Sequence, residues 1–233
     1  MSRRSKKITF ALSIGVVGVI AVTGLAVGGV QLMRGTGVAP PASGQGAAPG
    51  QAVVPVGDGC SNQPAVTEGT VSAAPETTWA YLGRVAVPTS PQAGPFETAD
   101  DGFPSCFAHT PEGALLYAAN MVAVSSDRPV ASANAEQMYA ESPRKAEVVK
   151  TEQENSTPNT AAALSLAGFR VLHYDGDMAA IDTAWRVGPT LLSSVYFEVR
   201  WENGDWRIVP PAADGSSIVQ LPNLGGYIPW SAS

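Results

Sequence analysis

Residues 8–33 form a run without a single charged side chain, from Ile8 to Met33. Arg3, Arg4, Lys6 and Lys7 stand just before it, and Arg34 closes it. Its twenty-six residues, as an α-helix, rise about 39 Å, enough to cross a hydrocarbon core of roughly 30 Å with some tilt. Thr9, Ser13, Thr23 and Gln31 are tolerable in lipid because a helix bonds its backbone internally. The cations before the run predict a cytoplasmic tail over 1–7, a transmembrane helix over 8–33 and export of everything beyond. The rival is a signal peptide cleaved near Ala39–Ala42, but the apolar core of such a peptide is normally about 7–15 residues. A lipoprotein is disfavoured, because Gly57-Asp58-Gly59 before Cys60 is not an apolar lipobox. Gly24 and Gly28 form a G-x-x-x-G, and Ala11 and Gly15 a similar pair. Either would let a second copy pack closely in the membrane as a homo-oligomer; the plainer reading is that glycine is common in such helices.

Beyond Arg34 lie nine of the fourteen basic residues and all twenty acids, a formal charge of −11. A domain of that sign repels phosphate backbones and anionic headgroups, so direct nucleic-acid binding by the exported part is not expected. Cys60 and Cys106 are the only cysteines. In an oxidising compartment such a pair reads as a disulfide, which would stabilise the fold by roughly 4 kcal/mol in the chain-entropy model. The competing reading is a metal site with His109 and His173. Cys106-x-x-His109 supplies half a ligand pattern and no second close pair completes it.

Residues 34–76 are dominated by Gly, Pro, Ala and Gln with few large apolar groups, and read as a flexible stalk. An exported domain over 77–233 follows, large enough for one core. It opens with a strand-like run, Thr78–Val87, ended by Pro88, and a Pro/Gly-rich loop over Thr89–Ala108. Thr110 is a good N-cap, with Pro111 in the first helical position and Glu112 in the first turn. A second helix is expected over Ala131–Glu141, and a third, capped by Ser142, over Arg144–Glu154. The pattern then changes to alternation. Phe169, Val171 and His173 share one strand face; Ile181, Thr183, Trp185 and Val187 another; Val195, Phe197, Val199 and Trp201 a third. Asp175-Gly176 and Asn203-Gly204 are tight turns, and Trp206 and Ile208 lie on a short last strand. Helices followed by an antiparallel meander with one apolar face make the fold class α+β.

Helices leading into strands that end in Tyr196-Phe197-Glu198-Val199-Arg200-Trp201-Glu202-Asn203-Gly204-Asp205-Trp206 resemble the nuclear-transport-factor-2-like fold, the cystatin-like cone. An inner tail, one anchor and such an exported domain are similar in layout to two groups. One is the assembly-factor subunits of type IV secretion and conjugation machines. The other is the membrane proteins associated with mycobacterial lipid-import complexes. The segments Val85-Ala86-Val87-Pro88-Thr89-Ser90-Pro91, Gly94-Pro95 and Phe107-Ala108-His109-Thr110-Pro111-Glu112-Gly113-Ala114 resemble an uncharacterised family of actinobacterial membrane proteins carried on integrative and conjugative elements. That resemblance covers most of residues 76–233. It implies a scaffold or assembly component of a conjugative transfer apparatus, partnered by other membrane-complex subunits. The alternative is a ligand- or lipid-binding exported module of a lipid-import complex.

The resemblance supplies no catalytic residues, and the chain shows no nucleophile–base pair, phosphate loop or metal motif. No enzyme activity, cofactor or metal is therefore expected. His109, directly before the helix cap, is expected to fix the loop-to-helix junction, since an imidazolium is disfavoured beside a positive dipole end. His173 reads as a satisfied core histidine; an acid–base site with Asp182 or Tyr174 is the sharper alternative. Asp182 has the opposite alternation to its apolar neighbours and is expected to face solvent. Trp185, Trp201 and Trp206 read as sheet core, and Glu147, Glu152 and Glu154 as a solvated helix face.

Overall fold

The computed structural model describes residues 54–55, 64–157, 163–212 and 217–232. The transmembrane run over 8–33, most of the stalk and Cys60 lie outside the described residues. Among the described residues, no helix is long and apolar enough to cross a membrane.

Two short strands, β1 (Val54–Pro55) and β2 (Pro64–Ala65), pair antiparallel. Next comes a hairpin of β3 (Thr78–Leu82) and β4 (Val85–Thr89). The sequence reads as one strand here, but Gly83 adopts a left-handed φ of 57° and reverses the chain within two residues. Pro88 does not end the run; it lies within β4, opposite Trp79. The expected loop over Thr89–Ala108 carries a further small pair, β5 (Glu97–Thr98) and β6 (Pro104–Ser105).

Helix α1 (Pro111–Ser126) starts where the cap signals put it: Thr110 is extended and its hydroxyl accepts the Gly113 N–H at 3.0 Å. Helix α1 is buried nearly all round, as a central helix must be. Its Gly113 fits because an added Cβ would sit 1.9 Å from the Ala108 carbonyl oxygen. Helix α2 (Arg128–Met138) begins three residues earlier than its apolar spacing suggests, with Pro129 in its first turn. Helix α3 (Lys145–Glu154) starts one residue later than expected; the Ser142 hydroxyl accepts the Arg144 N–H rather than capping the helix itself.

The large sheet is antiparallel. It contains β7 (Leu164–Tyr174), β8 (Met178–Val187), β9 (Leu191–Glu202) and β10 (Asp205–Ile208), in the order β10-β9-β8-β7. Asn203 and Gly204, with φ of 56° and 79°, make the primed turn that the Asn-Gly pair signals between β9 and β10. Two short strands finish the sheet at its opposite sides: β11 (Ile218–Gln220) on β9 and β12 (Ile228–Pro229) on β7. Among the described residues the architecture is thus three helices and a six-stranded antiparallel sheet, an α+β fold.

Helix α1 packs against β7, β8 and β9. The interior is filled by Trp185, Trp206, Tyr117, Tyr139, Phe107 and Phe169, with aliphatic side chains between them, all under 2% exposed. Indole and phenol polar atoms are satisfied locally. Trp185 Nε1 donates to Thr183 Oγ1 at 2.9 Å, Trp206 Nε1 to the Ala108 carbonyl at 3.0 Å, and Tyr117 to the Met138 carbonyl at 3.0 Å.

Three sequence expectations are corrected here. His173 is exposed, not core. A register irregularity between Val171 and His173 leaves Leu172 outside the ladder, so Tyr174 rather than His173 returns to the packed face. Asp182 is buried, at 5% exposure, because the outer sheet face is covered at that point. Glu152 is also buried, not solvated: it pairs with Arg128 at 2.9 Å and accepts from the Tyr139 hydroxyl at 3.3 Å, tying α2 to α3.

Candidate functional site

A cluster of buried polar contacts lies at the start of α1, where the incoming chain meets the sheet. Ala65 bridges to His109, and the Val66 N–H donates to the His109 carbonyl at 2.8 Å. The Tyr174 hydroxyl donates to the Val66 carbonyl at 2.5 Å. Ala65 and Val71 are buried, so the packed unit reaches back into the segment whose composition reads as stalk.

His109 is the centre of this junction. Its ring stacks on Trp201 with centroids 4.0 Å apart and planes 2° from parallel, and meets the edge of Trp206 at 5.6 Å. Its Nε2–H donates to the Gly176 carbonyl at 2.6 Å, while Nδ1 is buried with no hydrogen-bond partner. The ring therefore pins the β7–β8 turn to the start of α1, the fixing role expected for it. Burial pushes its pKa below the ordinary histidine value; the Gly176 carbonyl and the charge of Asp177 oppose this only partly.

This predicts a pH dependence. A histidine whose folded pKa lies below its unfolded value binds fewer protons when folded, so its contribution is complete above about pH 6.5 and is lost as the pH falls. The urea midpoint of the exported domain should drop between pH 7.5 and 5, and His109→Phe should flatten that drop. An unchanged slope in the variant would assign the effect to other groups.

Asp205, which no sequence motif marks, holds the other side of the junction. Its carboxylate accepts the N–H groups of Cys106 at 2.9 Å, Phe107 at 3.0 Å and Trp206 at 2.9 Å. Burial raises its pKa despite those three donors. Cys106 takes a left-handed φ of 60° between these contacts and is disulfide-bonded. Cys60, the chain's only other cysteine, lies outside the described residues, so its pairing with Cys106 stays a proposal from the sequence.

Beside the junction opens a cleft of about 340 Å³ lined by Val66, Glu68, Thr70, Gln92, Thr110 and Glu112, among others. Its lining mixes polar and apolar groups in near-equal measure and carries two carboxylates. Asp182, Tyr174 and His173 do not converge on it. His173 Nε2 lies 3.1 Å from Asp175 at the exposed turn, while Asp182 is held by Arg170 and by Tyr227, whose hydroxyl donates to it at 2.8 Å. The acid–base arrangement considered for His173 is therefore not assembled. Among the described residues, no group of three His, Cys, Asp or Glu side chains could hold a metal ion.

Of the expected core tryptophans, Trp185 and Trp206 are fully buried, and Trp201 is partly exposed where it stacks on His109. No periodicity signals the partnership of Asp205 with Cys106 and Phe107, because it joins segments far apart in the chain.

Residues 39–229 match the model of a family described as a domain of unknown function, DUF8175, and the chain belongs to that family. No curated protein and no solved structure matches it.

Proposed function

We propose that this DUF8175 protein is a membrane-anchored scaffold of a conjugative, type IV secretion-like transfer apparatus, working by protein–protein contact outside the cytoplasmic membrane. The observation that carries this reading is the filled interior. In a cone fold that binds a ligand or turns over a substrate, the chamber lies between helices and sheet. Here Trp185, Phe169, Phe107, Tyr117 and Met121 occupy that space at 1% exposure or less. The architecture fits the nuclear-transport-factor-2-like cone that the C-terminal strands resemble. Its work is contact rather than catalysis.

Support also comes from the sequence: an uncharged run over 8–33, cations before it, and an exported charge of −11 that is unsuited to gripping DNA. The lipid-binding alternative needs an apolar chamber of several hundred Å³. The cleft beside α1 is of mixed polarity, and its two carboxylates, Glu68 and Glu112, do not suit an acyl chain.

Tyr81, on β3, is 79% exposed and offers a position from which to identify partners without disturbing the core. A photoreactive benzophenone amino acid in place of Tyr81, in cells carrying the whole transfer element, should give adducts with envelope subunits of the apparatus. Adducts confined to lipid-import proteins would favour the alternative. No adduct with an apparatus subunit, from this position or from exposed Val219, would count against the scaffold reading.

A further inference from the structure

In the hairpin of β3 and β4, β4 packs against α1 and β7 while β3 lies on the far side. Gly83 and Arg84 make a two-residue loop, so Leu82 and Val85 exchange both backbone hydrogen bonds. Bonded pairs then alternate: Ala80 with Val87, and Thr78 with Thr89. The backbone groups of the residues in between point away from the ladder. On β4 these residues are Ala86 and Pro88; proline needs no N–H there, and the Pro88 carbonyl accepts from Asn120 Nδ2 of α1 at 3.0 Å. On β3 they are Trp79 and Tyr81, whose N–H and C=O groups meet no hydrogen-bond partner among the described residues.

The corresponding groups on the outer side of β10 are engaged. The Trp206 N–H donates to Asp205 Oδ1 at 2.9 Å, and the Ile208 carbonyl accepts the Ala140 N–H at 2.8 Å. The outer side of β7 is paired by β12, and the Ala167 carbonyl accepts the Trp230 N–H at 3.3 Å. A strand edge left open is normally blunted by charge, proline or a bulge. Thr78-Trp79-Ala80-Tyr81-Leu82 has no charged residue and no proline, and its register on β4 is regular throughout. Threonine, tryptophan and tyrosine are also strong strand formers. Trp230 ties the start of β3 to the core, its ring 5.8 Å from that of Trp79 and its Nε1–H on Thr77 Oγ1 at 3.3 Å. Tyr81, on the same face as Trp79, is 79% exposed.

We propose that the edge of β3 is a docking site for an extended, basic segment of another protein, which adds to the hairpin as a third strand. The edge presents N–H and C=O groups on every second residue, and only an extended backbone presents the matching row, since a helix uses its own groups internally. An aromatic or β-branched residue of the segment pairs with Tyr81 across the new ladder. Charge selects the segment's sign: an exported part of −11 draws a basic chain and repels an acidic one. Glu76, exposed just before β3, receives the lysines or arginines, and Arg84 in the turn keeps them from the other end. The inference rests on the scaffold reading and gives it a contact surface.

The test uses the full-length chain in cells carrying the whole transfer element, with a benzophenone amino acid in place of exposed Ala80. It should give an adduct with another protein, at a peptide that carries lysine or arginine beside alternating apolar residues. Tyr81→Pro removes the outward N–H and leaves the ladder to β4 whole, as Pro88 does on the opposite strand; it should cut the adduct about tenfold. Tyr81→Thr keeps the N–H and gives up the ring, and should cut it about threefold. Protease resistance of the exported domain shows whether each variant folds. Should Tyr81→Pro not fold, Tyr81→Lys takes its place: a lysine blunts the edge and repels a basic segment, and should cut the adduct about fivefold. Four results would overturn the proposal: no adduct from position 80, an adduct equally strong in the proline or lysine variant, an adduct joining two copies of this chain, or one returning to its own residues 1–63. The scaffold reading is judged separately, by adducts from Val219 with apparatus subunits. A proline-sensitive adduct with a protein outside the apparatus would support the docking edge and count against that reading.

Discussion

Asp205→Ala should cost the exported domain about 3–5 kcal/mol, much of the stability of an ordinary domain. The carboxylate is 4% exposed and is the acceptor for three backbone N–H groups. Two of these, on Cys106 and Phe107, lie in the segment that enters α1, and the carboxylate is the acceptor for both N–H groups. Removing the carboxylate leaves buried donors unpaired, and each such group costs roughly 1–3 kcal/mol. Asp205→Asn should cost less but still substantially, since an amide oxygen accepts more weakly and its NH2 would face other donors. Chemical denaturation of the exported domain measures both. A loss under 1 kcal/mol for the alanine variant would mean that water replaces the carboxylate and that the junction is looser than described.

The second large effect belongs to Trp185. It is 1% exposed, lies on the helix-facing side of β8, and its Nε1–H donates to Thr183 Oγ1, which itself donates to the Val195 carbonyl at 3.1 Å. Trp185→Ala removes a large ring from a close-packed layer and should cost about 3–5 kcal/mol. Trp185→Phe should recover much of that, since only the indole N–H and part of the volume are lost. The alanine variant also probes the filled interior from which the function is argued: it opens a cavity in the layer that Trp185 fills. If the wild-type domain were built around a chamber, it would tolerate this change with little loss.

Much of the frame was legible from residue patterns. Thr110, Pro111 and Glu112 mark the start of α1 because a cap, a preset φ and a favourable charge each act locally. Asn203-Gly204 marks the last hairpin because both positions take positive φ. The alternation over Ile181–Trp185 gives the inner face of β8, since only that period puts Ile181, Thr183 and Trp185 together.

What the sequence does not reveal depends on local irregularities without a strong signal and on segments that meet in space. His173 was expected in the core because Phe169 and Val171 set a period of two; the irregularity at Leu172 breaks that period and no residue announces it. Asp182 was expected in solvent because it alternates away from the core. It is buried by a strap that arrives some forty-five positions later, at Tyr227. Glu152 looked like one of several acids on a helix face, and only the approach of Arg128 makes its burial tolerable. The hairpin at Gly83 is not legible in the sequence because Gly83-Arg84 is a weaker turn signal than Asn-Gly. For Asp182 and Glu152 the environment is set by a distant partner, Tyr227 in one case and Arg128 in the other.

The account stands or falls on a domain held outside the membrane by one anchor. Protoplasts treated with an external protease test that directly. The account predicts cleavage of the Gly/Pro/Ala-rich segment between Arg34 and Ala65 without lysis. That would release one resistant fragment that begins near the buried Ala65 and contains Cys106, His109 and Trp230. Survival of the full-length chain until the membrane is broken would contradict it.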